Sequence, residues 1–126
     1  MEFNASTPHT TVLGDIEQLT EAAQHLLHNA IKFNKIGGVV QVECGLAGSD
    51  LFLRVVDTGV GIPPERLDTI WSGLSKLKAN GNGRSAGMGL ALARFIVLAH
   101  GGRVDAQSKY GAGSVFTIYL PLFFDD

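Results

Sequence analysis

Leu51-Phe52-Leu53-Arg54-Val55-Val56-Asp57 runs directly into Thr58-Gly59-Val60-Gly61-Ile62-Pro63-Pro64-Glu65. The first seven residues are apolar except for Arg54 and the closing aspartate, which predicts a central strand covered on both faces. The next eight include two glycines and two prolines, so the strand must stop at Asp57 and turn into a loop. A carboxylate ending an apolar strand needs a donor. Taken alone, the Asp57-Thr58-Gly59 turn reads as an aspartate capping its own loop.

Upstream, Val39–Cys44 predicts a strand hairpinned to Leu51–Asp57 across residues 45–50. Before it, Asp15–Phe33 predicts a helix, with Asp15 as cap after Gly14 and with Asn34-Lys35-Ile36-Gly37-Gly38 ending it. At a helical turn of about 100° per residue, Ile16, Leu19, Ala23, Leu26, Leu27 and Ala30 share one side. Gln18, Glu21, His25, Asn29 and Lys32 fall on the other. Thr10–Leu13 predicts a short strand, and residues 1–9 read as a tail or cloning remnant, leaving one domain over 10–126.

Downstream, Glu65–Trp71 predicts a short helix, and the glycine-rich stretch Ser72–Ala86 predicts a flexible lid with Lys76, Lys78 and Arg84 as its cations. Gly87-Met88-Gly89 opens a helix over Leu90–His100, stopped by Gly101-Gly102. Arg103–Ser108 and Ser114–Pro121 form a last strand pair about Tyr110-Gly111-Ala112-Gly113. The fold class is therefore α+β: a two-layer α/β sandwich, its sheet mixed but mostly antiparallel, with helices on one face.

The composition narrows the function. With 126 residues and 45% hydrophobic content the chain builds one packed core, which excludes a disordered acidic tail. Ten Lys and Arg against twelve Asp and Glu leave a net charge of −2, no footprint for nucleic acid or an anionic membrane. No apolar run nears the ~20 residues that span a bilayer, and no signal peptide opens the chain, so a cytoplasmic location is expected. Cys44 stands alone, which rules out an internal disulfide or a thiolate metal cluster. The 16 glycines exceed the usual share of about 7%, and they cluster in the loops just described.

Three separated signals then fall in order: His25-Leu26-Leu27-His28-Asn29-Ala30-Ile31-Lys32-Phe33, Asp57-Thr58-Gly59-Val60-Gly61, and Gly87-Met88-Gly89-Leu90 followed by Ala99-His100-Gly101-Gly102. With Gly111-Ala112-Gly113-Ser114-Val115-Phe116 and the closing Leu120-Pro121, they resemble the ATP-binding domain of bacterial sensor histidine kinases across Thr10–Pro121. That domain belongs to the GHKL superfamily, shared with gyrase, mismatch-repair and heat-shock chaperone ATPases, and its fold is the Bergerat ATP-binding fold. The resemblance implies ATP and Mg²⁺ as ligands. It assigns the metal to Asn29, whose neutral carbonyl oxygen suits a hard cation; without the other motifs Asn29 reads as an ordinary helix-surface amide. It gives Asn29 and Lys32 catalytic roles, Lys32 as a point charge near the phosphates, and makes Asp57 the acceptor for the adenine amino group. Gly59 and Gly61 would let the backbone pass the base. Gly87 and Gly89 would present N–H groups to phosphate at a helix start. Phe33, Ile62, Met88 and Leu90 complete the nucleotide site, and Lys76 and Arg84 reach the terminal phosphate.

By the same resemblance, the γ-phosphoryl group passes to a histidine on a separate helical-hairpin phosphoacceptor domain, and a response regulator acts downstream. His9, His28 and His100 lack the surroundings of such an acceptor, so the chain is expected to be inactive without that domain. Three departures stand out: His25 replaces the family's first asparagine, Trp71 and Leu74 replace a phenylalanine pair, and Ser85 replaces a glycine. They leave room for a second reading, a regulatory scaffold that binds nucleotide or only a partner. A GHKL hydrolase or serine kinase is a third, disfavoured because His25 stands where that branch carries a glutamate base.

Overall fold

Asp15 starts the first helix by accepting the Gln18 N–H at 3.0 Å on its own carboxylate. The computed structural model describes residues 12–67, 70–71 and 86–123. Its elements are α1 (Ile16–Lys32), β1 (Val40–Ala47), β2 (Asp50–Asp57), α2 (Pro64–Leu67), α3 (Ala86–Ala99), β3 (Arg103–Lys109) and β4 (Gly113–Pro121). Glu17 in the first turn of α1 and Lys32 in its last both oppose the helix dipole.

The buried stripe of α1 is Leu19, Ala22, Leu26, Asn29 and Ala30. This corrects the expected face: Ile16 is exposed, and Asn29 turns inward rather than lying among the polar residues. Ile16 and Leu27 lie off the centre of the stripe, which runs through Leu19, Ala22, Leu26 and Ala30. Only Asn29 breaks its apolar character.

The sheet runs β1-β2-β4-β3, with every neighbouring pair antiparallel. Leu51 opposes Leu120, Leu53 opposes Ile118, Val55 opposes Phe116 and Asp57 opposes Ser114, all on the face the helices cover. α1 rests on β2, α3 on β3 and β4, and the helices pack on each other. The core lies between, around Leu26, Val55, Val97 and Phe116. The other sheet face has no second layer among the described residues. There Phe52, Arg54 and Val56 are half-buried under side chains of the sheet itself. The Arg54 guanidinium lies 4.6 Å from the centre of the Phe52 ring and Arg103 lies 3.6 Å from that of Tyr119. The apolar run of β2 thus reflects long side chains lying flat over the strand, not a second helical layer.

α1 and α3 run antiparallel, pinned at both ends. A Cβ on Gly14 would sit 2.5 Å from the His100 ring. His100 Nε2 accepts the Asp15 N–H at 3.1 Å and Nδ1 donates to the Ile96 carbonyl at 2.8 Å. At the opposite end, a Cβ on Gly89 would come within 3.1 Å of His25 Nδ1. α3 begins four residues before the expected Leu90 and stops at Ala99, where Gly101 takes φ +79° and the Gly102 N–H bonds the Val97 carbonyl at 2.9 Å. Val12 and Leu13 are not in a strand, although Val12 is buried in the core. Of the expected short helix Glu65–Trp71, the described residues hold one turn, α2. The expected lid Ser72–Ala86, including Lys76, Arg84 and Leu74, lies outside the described residues except for Ala86, which begins α3.

Candidate functional site

β2 delivers Asp57 to the covered side of the sheet at its last position, where it is buried at 6% exposure. Its Oδ1 accepts the Gly59 N–H at 2.9 Å, the loop-cap geometry expected of the turn. Burial pushes the Asp57 carboxyl above its ordinary range, and hydrogen bonds from the Gly59 and Ser114 backbones partly offset this.

The loop after Asp57 is clamped between two elements. The Val60 N–H bonds the Phe33 carbonyl at 3.3 Å, and the Gly111 N–H bonds the Val60 carbonyl at 2.7 Å. A Cβ on Gly59 would strike the Phe33 carbonyl, and one on Gly61 the Lys109 carbonyl; Gly61 also holds φ +75°. Both glycines are thus required by the protein's own backbone, the end of α1 on one side and the β3–β4 turn on the other. Phe33 caps α1 and supplies the carbonyl that anchors the loop.

Ile62 is half-buried against the core, and its N–H donates to Ser108 Oγ at 2.7 Å. Ser108 Oγ also lies 3.0 Å from both the Gly113 carbonyl and Ser114 Oγ. Sequence reading missed Ser108, whose only signal is a hydroxyl on the covered face of β3. Asn34 and Thr58 were missed as well. Asn34 Nδ2 donates to the Val39 carbonyl at 3.0 Å, and Thr58 Oγ1 accepts the Val39 N–H at 2.8 Å and lies 3.2 Å from Asn34 Oδ1. These bonds tie the end of α1, the start of β1 and the end of β2 into one rim around Asp57.

α1 supplies the second buried polar side chain. Asn29 is 8% exposed, and its amide has no hydrogen-bond partner among the described residues. A buried amide left unpaired costs about 1–3 kcal/mol, so its partner is to be found outside the described residues or in a ligand. One turn earlier, His25 Nε2 meets Glu21 Oε2 at 3.1 Å. Lys32 is exposed, its Nζ 5.7 Å from the centre of the Phe33 ring. Gly87 and Met88 lie in the first turn of α3, whose leading N–H groups have no partner within the helix. Leu90 is a core side chain at 3% exposure, so only its backbone is available to a ligand. Trp71 packs edge-on against Phe116, ring centres 5.8 Å apart, and closes the core beside α2.

The arrangement places an anionic acceptor at the end of β2, an amide oxygen without a partner among the described residues on α1, and the start of α3, with α1 packed on both β2 and α3. It offers a polar heterocycle an acceptor and a hard cation an oxygen. Among the described residues no three His, Cys, Asp or Glu side chains converge as a metal site. No described helix is long and apolar enough to cross a membrane.

Known proteins share this design. The chain is 34% identical over 123 residues to the sensor histidine kinase ZraS of Salmonella typhimurium, covering 97% of this chain and 26% of that protein. It therefore spans about a quarter of that relative's length. The structure matches a mycobacterial sensor histidine kinase, MprB, with TM-score 0.75 and 28% identity over 88% of this chain and 76% of that one. Full-length ShkA, solved in complex with AMPPNP, matches with TM-score 0.77 and 27% identity over 94% of this chain and 24% of that one. A family model described as histidine kinase-, DNA gyrase B- and HSP90-like ATPase matches residues 14–123. From the loop-clamped Asp57 to the closing strand β4, the chain belongs to that ATPase family.

Proposed function

We propose that this chain is the ATP-binding catalytic domain of a sensor histidine kinase. It takes ATP with Mg²⁺ and donates the γ-phosphoryl group to a histidine on a separate helical-hairpin domain of the same kinase. The observation that carries this reading is the buried Asn29 amide, without a partner among the described residues, on the helix that packs against β2, the strand that ends in Asp57. Asn29 would hold the metal through its carbonyl oxygen, with water and phosphate oxygens as the remaining ligands. When bound, Mg²⁺ neutralises charge on the phosphates.

The chain's own residues do the rest. Asp57 accepts from the exocyclic amine of adenine, where guanine would present a carbonyl and meet repulsion. The first-turn N–H groups of α3, at Gly87 and Met88, face an anion with the positive end of the helix dipole. Lys32 adds a point charge, and Lys76 and Arg84 reach the terminal phosphate from the lid. The rim of Asn34, Thr58 and Ser108 keeps the loop 58–62 in place as nucleotide enters and leaves. Transfer is an in-line displacement: the acceptor imidazole nitrogen bonds to the γ-phosphorus, the bond to the bridging oxygen breaks, and ADP departs with the electron pair. A neutral imidazole is already nucleophilic, so the domain positions phosphates rather than supplying a base. The phosphoryl group would then pass to a response regulator in the cytoplasm.

The test is incubation with γ-labelled ATP, with and without a purified hairpin domain from a related kinase. The expected result is acid-labile label on the hairpin and none on this chain alone. Measurable ATP binding with no transfer to any hairpin supplied would favour the regulatory-scaffold reading instead.

A further inference from the structure

Among the described residues, β1 is a bare sheet edge. It pairs with β2 through all eight of its residues and with no other described strand. Edge strands are normally blunted with lysines, prolines or bulges, because unpaired N–H and C=O groups recruit another strand. Val40-Gln41-Val42-Glu43-Cys44-Gly45-Leu46-Ala47 has none of these and a single charge, whereas the opposite edge, β3, carries Arg103, Asp105 and Lys109. Val42 is 52% and Leu46 38% exposed, and Cys44 is exposed between them, all on the face the helices cover elsewhere.

We propose that β1 pairs antiparallel with β1 of a second copy, making one eight-stranded sheet about a two-fold axis at Cys44. Two observations select this partner and register. The Thr58 N–H bonds the Val39 carbonyl at 3.2 Å. Antiparallel hydrogen-bonded pairs alternate, so Gln41, Glu43, Gly45 and Ala47 bond to β2, and Val40, Val42, Cys44 and Leu46 turn their backbone groups outward. Pairing Cys44 with Cys44 of the second copy sets Val42 opposite Leu46 on both sides. Three hydrogen-bonded pairs form, with apolar side chains continuing the covered face across the join.

The second observation is charge. In that register Glu43 meets Gly45, which has no side chain to clash. Sliding two residues one way sets Glu43 against Glu43, a like-charge pair that destabilises a sheet, and sliding two the other way sets Val42 against Gly48 in the turn. Sliding by one residue points every side chain to the wrong face. That register is therefore favoured over its neighbours on either side.

Sedimentation equilibrium of the intact chain under reducing conditions tests this. The mass should rise from one chain towards two as concentration increases. The double variant Val42→Lys, Leu46→Lys should stay monomeric at every concentration. Asp105→Lys on the far edge should dimerise as the wild type does, which separates lost pairing from lost folding, and circular dichroism should show native helix content in all three. A short bismaleimide should join two chains through Cys44 in the wild type and not in the double variant. A wild type that stays monomeric throughout, or a dimer that survives the double lysine substitution, would overturn the proposal.

Discussion

Asp57 holds two opposed demands at one atom group. Burial raises its carboxyl above the ordinary value, so the ionised form needed as an acceptor is the form the fold disfavours. A raised folded-state value means the folded chain holds the proton more tightly than the unfolded chain. Its contribution to stability is therefore fully present below the unfolded aspartate range and is lost as pH rises through the folded value. Asp57→Asn should remove that loss: thermal melts should show the variant gaining on the wild type as pH climbs from the ordinary aspartate range through the raised folded-state value, then holding its advantage. The same change places an amide where a nucleotide needs an anion. A hydrogen bond to a charged group is worth about 1.5–3 kcal/mol, so ATP affinity should fall by about 10- to 100-fold in calorimetry. Equal affinity would remove Asp57 from the base site. The loop-capping position of this aspartate was legible in the sequence because it ends an apolar strand beside glycines. The inward turn of Asn29 was not, because a helical wheel weighted by large apolar residues placed its centre too near Ile16.

The elements show where local signals compete with packing. Gly45 reads as the start of a turn, yet it lies inside β1, because the Phe52 ring sits 3.0 Å from where its Cβ would be and covers the bare backbone. The true turn is Gly48-Ser49, with Gly48 at φ +63°. Gly87-Met88-Gly89 reads as opening the helix over Leu90–His100, and the helical backbone already includes them from Ala86, with His25 leaving little room for a side chain at Gly89. Gly61 offers the sharpest test of how the loop is clamped. Gly61→Ala must adopt a positive φ and push against the Lys109 carbonyl. It should lose about 2 kcal/mol or more, read as a lower urea midpoint with an unchanged slope. Gly111→Ala also has a positive φ but meets nothing within 4 Å, so its loss should be smaller. Equal losses at both sites would show that the strain lies in φ alone and that the clamp adds nothing.

At the scale of the molecule, two helices cover one side of a four-stranded sheet, and both buried side chains of the site look into that single interlayer. The order of elements and the antiparallel pairing were readable from strand-turn-strand spacing, and the resemblance drawn from four motifs agrees with the family matched over residues 14–123. The hydroxyl and amide rim at Asn34, Thr58 and Ser108 was not readable, since single polar residues acquire partners only when distant strands meet. The account stands on Asn29 being kept in the core for a ligand. Asn29→Leu fills the same space without a polar group, so the fold should be as stable as the wild type or more so by about 1–3 kcal/mol. Titration of ATP into both proteins by calorimetry, with Mg²⁺ and with EDTA, measures that claim directly. The wild type should bind ATP more tightly with Mg²⁺ than with EDTA, and in Asn29→Leu the difference should vanish. A variant that keeps the full Mg²⁺ dependence, or a wild type that binds no ATP, would contradict it.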